Sequence, residues 1–185
     1  MNKTEFVILT ALLMSLVAMA IDMILPALPA IASEFGLQSA SSAQYIISGV
    51  FAGMVAGKLL FGPLSDAWGR RPAIYLGLVF FISGSLVCYF SSSLEILLLG
   101  RVMQGVGVAS PRIVSLALVR DQFEGREMAR IMSFIMMVFI LVPAIAPALG
   151  QGILYFSQWR MILLVFIAVG VLCLLWFGIR QPETL

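Results

Sequence analysis

The sequence has no histidine, two cysteines and few charged residues, and each shortage removes a class of function. Without histidine there is no His-based acid–base catalysis, no His-activated nucleophile and no ligand for most zinc sites. Cys88 and Cys173 lie inside apolar runs, which favours small core residues over a redox pair. Charged residues make up 11% of the chain, whereas a soluble domain needs roughly a quarter. An ordinary soluble globule, a disordered chain and a disulfide scaffold are therefore excluded.

Apolar residues are in excess: they form 62% of the 185 residues, and the mean hydropathy is +1.09. Six continuous apolar runs are each near the length that a helix needs to cross ~30 Å of hydrocarbon. The runs do not alternate, which argues against a barrel. We therefore predict an all-α membrane protein in which residues 1–185 form one six-helix bundle. The predicted spans are about 6–32, 45–64, 73–90, 96–119, 131–156 and 161–179.

Basic residues between the spans predict the orientation. Connections on one side carry most of them: Lys3, Arg70, Arg71, Arg120, Arg126, Arg130 and Arg180. The other side carries only Arg160. Under the positive-inside rule both termini are cytoplasmic, and the surrounding partner is membrane lipid. The net charge of +2, with its basic residues dispersed, gives no reason to expect nucleic acid.

Two ionisable residues are predicted at a common depth near the outer face. Asp22 is the only carboxylate deep in the first span, and Arg101 enters the fourth span from the same side. Because charges at this depth face a cavity or a partner, we expect them to pair and to switch with protonation. A purely structural ion pair is the alternative. Asp22 also shares a helix face with Pro26 and Pro29, which predicts an irregular backbone beside the acid.

The fourth span carries a polar stripe. Five residues fall within an arc of roughly 100° on a helical wheel: Arg101, Gln104, Gly105, Arg112 and Ser115. Such a stripe faces a water-filled path, or it forms a hydrogen-bonded seam between helices. Pro111 is expected to kink this helix.

Other residues in the spans leave alternatives open. Lys58 either snorkels to the cytoplasmic interface or lines a cavity. Gly49, Gly53 and Gly57 predict close helix packing. The fifth span has a stripe that suits either apolar ligands or packing: Met132, Met136, Phe139, Pro143, Pro147 and Gly150.

The segment Gly62–Pro72 (GPLSDAWGRRP) resembles the most diagnostic motif of the major facilitator superfamily. In the segment, Asp66 and Arg70 are spaced to pair, Gly69 allows a tight turn, and Arg70 and Arg71 anchor at the interface. The resemblance implies that Gly62 and these four residues belong to a charge network that latches the cytoplasmic gate.

Three further segments are similar to motifs of this superfamily. Leu99–Gly107 (LGRVMQGVG) looks like its fourth-span motif, which implies that Arg101 takes part in proton coupling. Ala146–Gln151 (APALGQ) is similar to its antiporter motif, with Pro147 and Gly150 as the bend; Ala146 and Gln151 depart from the usual glycines. Together with Arg120-Asp121, the first-span segment Ile21–Pro29 resembles the Bcr/CflA group of bacterial drug:proton antiporters.

The resemblance implies half of a transporter, since members have twelve spans in two parallel six-helix halves. The last residues, from Arg180 to Leu185, look like the start of the family's central loop. We expect either the N-terminal half of a longer or split transporter, or two copies that pair as a homodimer.

The expected function is proton-coupled efflux of small, largely apolar drug-like compounds across a bacterial inner membrane. Asp22 and Arg101 would couple protons, and Gln104, Arg112 and Met136 would line the substrate cavity. The alternative is a non-transporting fragment or a docking partner of a full-length transporter. No enzyme, cofactor or metal is expected.

Overall fold

The computed structural model describes residues 2–37 and 40–180, and all regular structure in those ranges is helical. Six stretches are long and apolar enough to span a membrane, as predicted. The first is a broken span of two helices joined by a 3₁₀ turn at Leu25–Ala27. The elements are α1 (Lys3–Asp22), α2 (Leu28–Glu34), α3 (Ala40–Trp68), α4 (Arg70–Tyr89), α5 (Leu94–Gln122), α6 (Gly125–Phe156) and α7 (Arg160–Arg180). The segment 181–185, interpreted above as the start of a loop, lies outside these ranges.

Local sequence explains where several helices begin and end. Gly69, with φ 101°, is the single residue between α3 and α4, a conformation that residues with a Cβ rarely adopt. Ser93 caps α5 by accepting a hydrogen bond from the Ile96 amide. Most helices extend a few residues beyond the predicted apolar runs, because polar end residues continue the helix into the interface. α5 continues through Pro111 without ending.

α5 lies at the centre of the bundle, packed between α3 and α4, with α1 and α7 outside this group. The predicted glycine ridge faces α5: a Cβ at Gly53 would overlap the backbone of Val102, and one at Gly57 would overlap Ala109. On the other side, Gly84 lies against the backbone of Gln104. Small residues therefore bring three helices close enough for side chains of α5 to reach backbone groups of its neighbours.

Polar contacts tie the bundle together at both ends. At the predicted cytoplasmic end, Arg180 Nε lies 3.1 Å from Glu5 Oε1, which places the start of α1 beside the end of α7. At the opposite end, Arg160 Nη1 lies 2.6 Å from Glu34 Oε1, while its Nε donates to the Tyr89 carbonyl and its Nη2 to the Ser91 carbonyl. Arg160, the one basic residue on the predicted outer side, is therefore used in joining helices.

Candidate functional site

A fully buried guanidinium is the centre of the polar site. Arg101 has 0% of its surface exposed. Its Nη2 donates to the Ala20 carbonyl at 2.7 Å, and its Nε donates to the Ile46 carbonyl at 3.2 Å. Its Nη1 donates to Gln104 Oε1 at 2.7 Å. One side chain thus joins α5 to α1 and α3.

Gln104 extends this network to α4. Its Nε2 donates to Ser85 Oγ at 2.8 Å, and Ser85 Oγ donates to the Phe81 carbonyl at 2.8 Å. Gln104 and Ser85 both have no exposed surface. Gln104 was predicted to line a substrate cavity; in this bundle it is fully buried between α5 and α4, which glycines bring close together. Gly105 and Ser115 of the same stripe are also buried.

Asp22 lies where the first span breaks. It is the last residue of α1 and is partly exposed. Pro26 and Pro29 follow, so the predicted irregular backbone beside the acid is present.

The expected ion pair between Asp22 and Arg101 is not formed within the described residues. Arg101 instead binds the carbonyl of Ala20, two residues before the acid. The reason is that the last carbonyls of a helix have no intrahelical amide to accept from. The end of α1 therefore offers Arg101 a backbone acceptor at the depth where a carboxylate was expected. Arg101 thus reaches the level of Ala20, two residues from Asp22.

The segment similar to the antiporter motif packs on this break. A Cβ at Gly150 of α6 would overlap the carbonyl oxygen of Met23, the residue after Asp22. Ala146, one turn earlier, is buried. Only glycine allows α6 to approach the broken end of α1 so closely. Pro143 and Pro147 lie inside α6, which continues through both.

The surroundings of Arg112, the second arginine of the stripe, differ from those of Arg101. The Arg112 Cζ lies 4.4 Å from the centroid of the Phe139 ring on α6. Its Nη1 is buried and has no hydrogen-bond partner among the described residues. One turn along, the Ser115 hydroxyl is also buried and unpartnered there. Arg112, Phe139 and the predicted cavity residue Met136 are all partly exposed.

A second charged cluster joins the predicted cytoplasmic ends of three helices. Arg70 Nη1 lies 2.6 Å from Asp66 Oδ1, the pair that the spacing predicted, and its Nε lies 2.9 Å from Asp121 Oδ2 at the end of α5. Arg71 Nη2 donates to the Gly178 carbonyl of α7 at 2.6 Å. Asp121 was predicted only as part of a motif, because its place in the cluster depends on how far α5 extends.

Two further features lie on the surface of the bundle. Lys58 is exposed on α3. A groove of about 850 Å³, which no sequence pattern predicted, separates α1 from α6 at the predicted cytoplasmic end. Its lining is Lys3, Thr4, Val7, Ile8, Ala11, Arg126, Glu127, Arg130, Ile131, Phe134 and Val138. The predicted cavity residues Gln104, Arg112 and Met136 are not part of that lining.

Comparison with known proteins identifies the family of the chain. The family model described as Major Facilitator Superfamily matches residues 10–185. The chain belongs to the major facilitator superfamily. Members of this superfamily are transporters, so the expectation that the chain is not an enzyme is confirmed.

Relatives within the superfamily are bacterial. The chain is 36% identical over 167 residues to the MFS-type transporter YdgK of Bacillus subtilis, covering 89% of this chain and 41% of the relative. It is 35% identical over 175 residues to the multidrug resistance protein MdtL of Citrobacter koseri, covering 93% and 44%. It is 34% identical over 179 residues to a bicyclomycin resistance protein homolog of Haemophilus influenzae, covering 97% and 45%. The names agree with the predicted Bcr/CflA type.

The solved structures agree on the fold. The crystal structure of a D-xylose-proton symporter matches with a TM-score of 0.84 and 18% identity, covering 100% of this chain and 49% of that one. The chain thus spans about half the length of the relatives it matches, as a six-helix half of a major facilitator fold does. Six apolar helices and bacterial superfamily relatives make it a multi-pass protein of the inner membrane.

Proposed function

We propose that the chain is the N-terminal six-helix half of a transporter that exports small, largely apolar compounds in exchange for protons. One observation carries this proposal: Asp22 is an acid at membrane depth, at the broken end of α1, and is not neutralised by Arg101. An unpaired acid at such a depth is suited to exchanging a proton with a water-filled cavity. The relatives named for multidrug and bicyclomycin resistance support export of drug-like compounds.

Arg101 takes a positioning role in this proposal. By holding the Ala20 carbonyl, it fixes the end of α1 and therefore the place of Asp22. Its positive charge stays near the acid without pairing with it. Substrate and proton then bind to different conformations, and each shifts the population toward the state that it prefers.

The cytoplasmic cluster of Asp66, Arg70 and Asp121 is proposed to be the gate latch, with Arg71 holding α7. Breaking the Arg70 pairs would remove the charge contacts between the cytoplasmic ends of α3, α4 and α5, while the backbone contacts deeper in the bundle remain. Pro147 and Gly150 are proposed to be the point where α6 bends against the end of α1.

Transport by this proposal needs a second six-helix half, because alternating access moves two bundles about a central site. α6 exposes large apolar side chains, with Ile140 at 72% and Met137 at 58% exposure. The second half is supplied by the remainder of a longer transporter or by a second copy of this chain. Parallel repeats have matching orientation, so a two-fold homodimer is topologically allowed.

Efflux at several external pH values tests the proton carrier. Cells making the complete transporter with Asp22→Asn are expected to lose both drug efflux and its pH dependence, because the amide cannot release a proton. Glu95→Gln is the matched control: it neutralises an exposed acid at the start of α5, outside the network. If Asp22→Asn cells keep pH-dependent efflux, Asp22 is not the carrier.

Two measurements test how the second six-helix half is supplied. They are the mass of the purified chain in detergent and its flux into liposomes. Flux from a dimer supports pairing of two copies. A monomer without flux, restored by adding the other half of a full-length relative, supports a split transporter. If neither arrangement gives flux, the chain is a non-transporting fragment or docking partner.

A further inference from the structure

Among the described residues, Arg112 is the one arginine within a predicted span that has neither an acid nor a hydrogen-bond acceptor as its partner. Arg101 has three acceptors, and Arg70, Arg160 and Arg180 each have an acid. Arg112 has no hydrogen bond and no ion pair among the described residues. A buried donor left without a partner costs about 1–3 kcal/mol, and a charged one costs more. A buried group of this kind calls for an explanation, and a partner from outside the bundle is one.

The position of Arg112 fits a binding site near the bilayer centre. α5 runs from Leu94 to Gln122, so its midpoint is Val108, and Arg112 lies within about 6 Å of that midpoint along the axis. Asp22, the acid at membrane depth, lies beside Arg101, about 16 Å away along α5. No acid of the described residues therefore neutralises Arg112 from inside this bundle.

The contact that Arg112 makes with Phe139 leaves its hydrogen-bonding capacity unused. The Arg112 Cζ lies over the Phe139 ring, 4.4 Å from its centroid. A cation over a ring is attracted by the ring's electrons, and this attraction satisfies none of its N–H donors. Those N–H groups match the two oxygens of a carboxylate. Ser115, one turn along the same face, adds a hydroxyl without a partner.

We propose that Arg112 is the recognition site for an anionic group on the substrate, a carboxylate carried by an aromatic or apolar body that packs beside Phe139 and Met136. This inference rests on the proposed transport function and narrows its substrate class from apolar compounds to amphiphilic anions. A carboxylate of the second six-helix half is the other source of the same charge, and the test separates the two.

Matched probes on one ring system test the proposal. Binding of 2-naphthoate and of neutral 2-naphthamide is measured on the purified full chain in nanodiscs of zwitterionic phosphatidylcholine. The carboxylate is expected to bind about 10- to 100-fold more tightly than the amide, the range that hydrogen bonds to a charged group provide. Arg112→Gln is expected to bring that ratio to about one. Arg112→Lys, which keeps the charge without the planar fork, is expected to keep a ratio of a few-fold.

Lys58→Gln is the control variant, because it removes a cation from a span without touching Phe139; it is expected to leave the ratio unchanged. The proposal is overturned if wild type does not prefer the carboxylate, or if Arg112→Gln weakens both probes equally, as loss of a contact to the second half would. Proton-dependent efflux is measured separately through Asp22→Asn. Selective binding without such efflux would therefore count against the transport proposal alone, and efflux without selective binding would count against this one.

Discussion

Arg101 and Arg112 lie on the same polar face of α5, yet their surroundings differ completely. Arg101 is fully buried and donates to two backbone carbonyls and to Gln104. Arg112 is partly exposed, stacks on Phe139 and has no hydrogen bond among the described residues. Two arginines at equivalent positions on the helical wheel therefore have different roles. The first holds helices together, whereas the second is free to bind something that this bundle does not supply.

The largest expected effect is on stability, from removing the satisfied arginine. Arg101→Met leaves the Ala20 carbonyl and Gln104 Oε1 buried without a donor, and each costs about 1–3 kcal/mol, so we expect a loss of about 2–6 kcal/mol in the free energy of unfolding. Arg112→Met removes one stacking contact and an unpaired donor, and is expected to change stability by less than about 1 kcal/mol. Reversible unfolding in detergent measures both. Equal losses would remove the distinction between the two residues.

A second variant tests whether close packing of α3 on α5 allows Arg101 to reach the backbone of its neighbours. Gly105→Ala places a Cβ on the backbone of Val50, so α3 must move away from α5. We expect a loss of about 2–3 kcal/mol from overpacking. Gly152→Ala is the control, since nothing lies within 4 Å of its Cβ position, and it is expected to be neutral or slightly stabilising. A tolerated Gly105→Ala would show that α3 and α5 are not packed this closely.

The same contrast between a satisfied and an unsatisfied side chain applies to the two uncharged polar residues of the stripe, Gln104 and Ser115. The expected effects on stability are smaller. Gln104→Leu removes the partner of both Arg101 and Ser85, and is expected to destabilise the protein by about 1–2 kcal/mol. Ser115→Ala removes a hydroxyl with no partner among the described residues, and is expected to be neutral or stabilising by a few tenths of a kcal/mol. The same unfolding experiment measures both, and the reverse order would place the satisfied network around Ser115.

The smallest effect is expected at the cytoplasmic cluster, where the acids are accessible to water. Asp66, with 71% of its side chain exposed, is expected to contribute less to stability than Asp121 at 29%. Asp66→Asn and Asp121→Asn are each expected to cost below about 1 kcal/mol, and less in high salt. A double-mutant cycle with Arg70→Gln isolates each pair. A loss that salt does not reduce would contradict solvent screening of the cluster.

The sequence was sufficient for features that depend on local pattern. Run length predicted the six spans, and the prolines after Asp22 predicted the break. The four-residue glycine spacing predicted the ridge against α5. Each follows from composition or spacing along one helix.

What the sequence could not provide were contacts between helices. The wheel placed Arg101 and Arg112 alike, because it shows neither the free carbonyl of Ala20 on α1 nor the Phe139 ring on α6. Ser85 had no sign beyond being a hydroxyl in the third span. Gln104 was predicted to line a cavity because a wheel gives direction without the distance to the next backbone.

The glycines on both sides of α5 also limit which parts of the bundle can move. With backbones in direct contact, α3, α4 and α5 cannot slide past one another without steric overlap, and Gly69 alone joins α3 to α4. These three helices form a rigid slab. Rearrangement within the bundle is therefore expected outside these three helices, for example where the backbone of Met23, after the first helix, lies against Gly150 of α6.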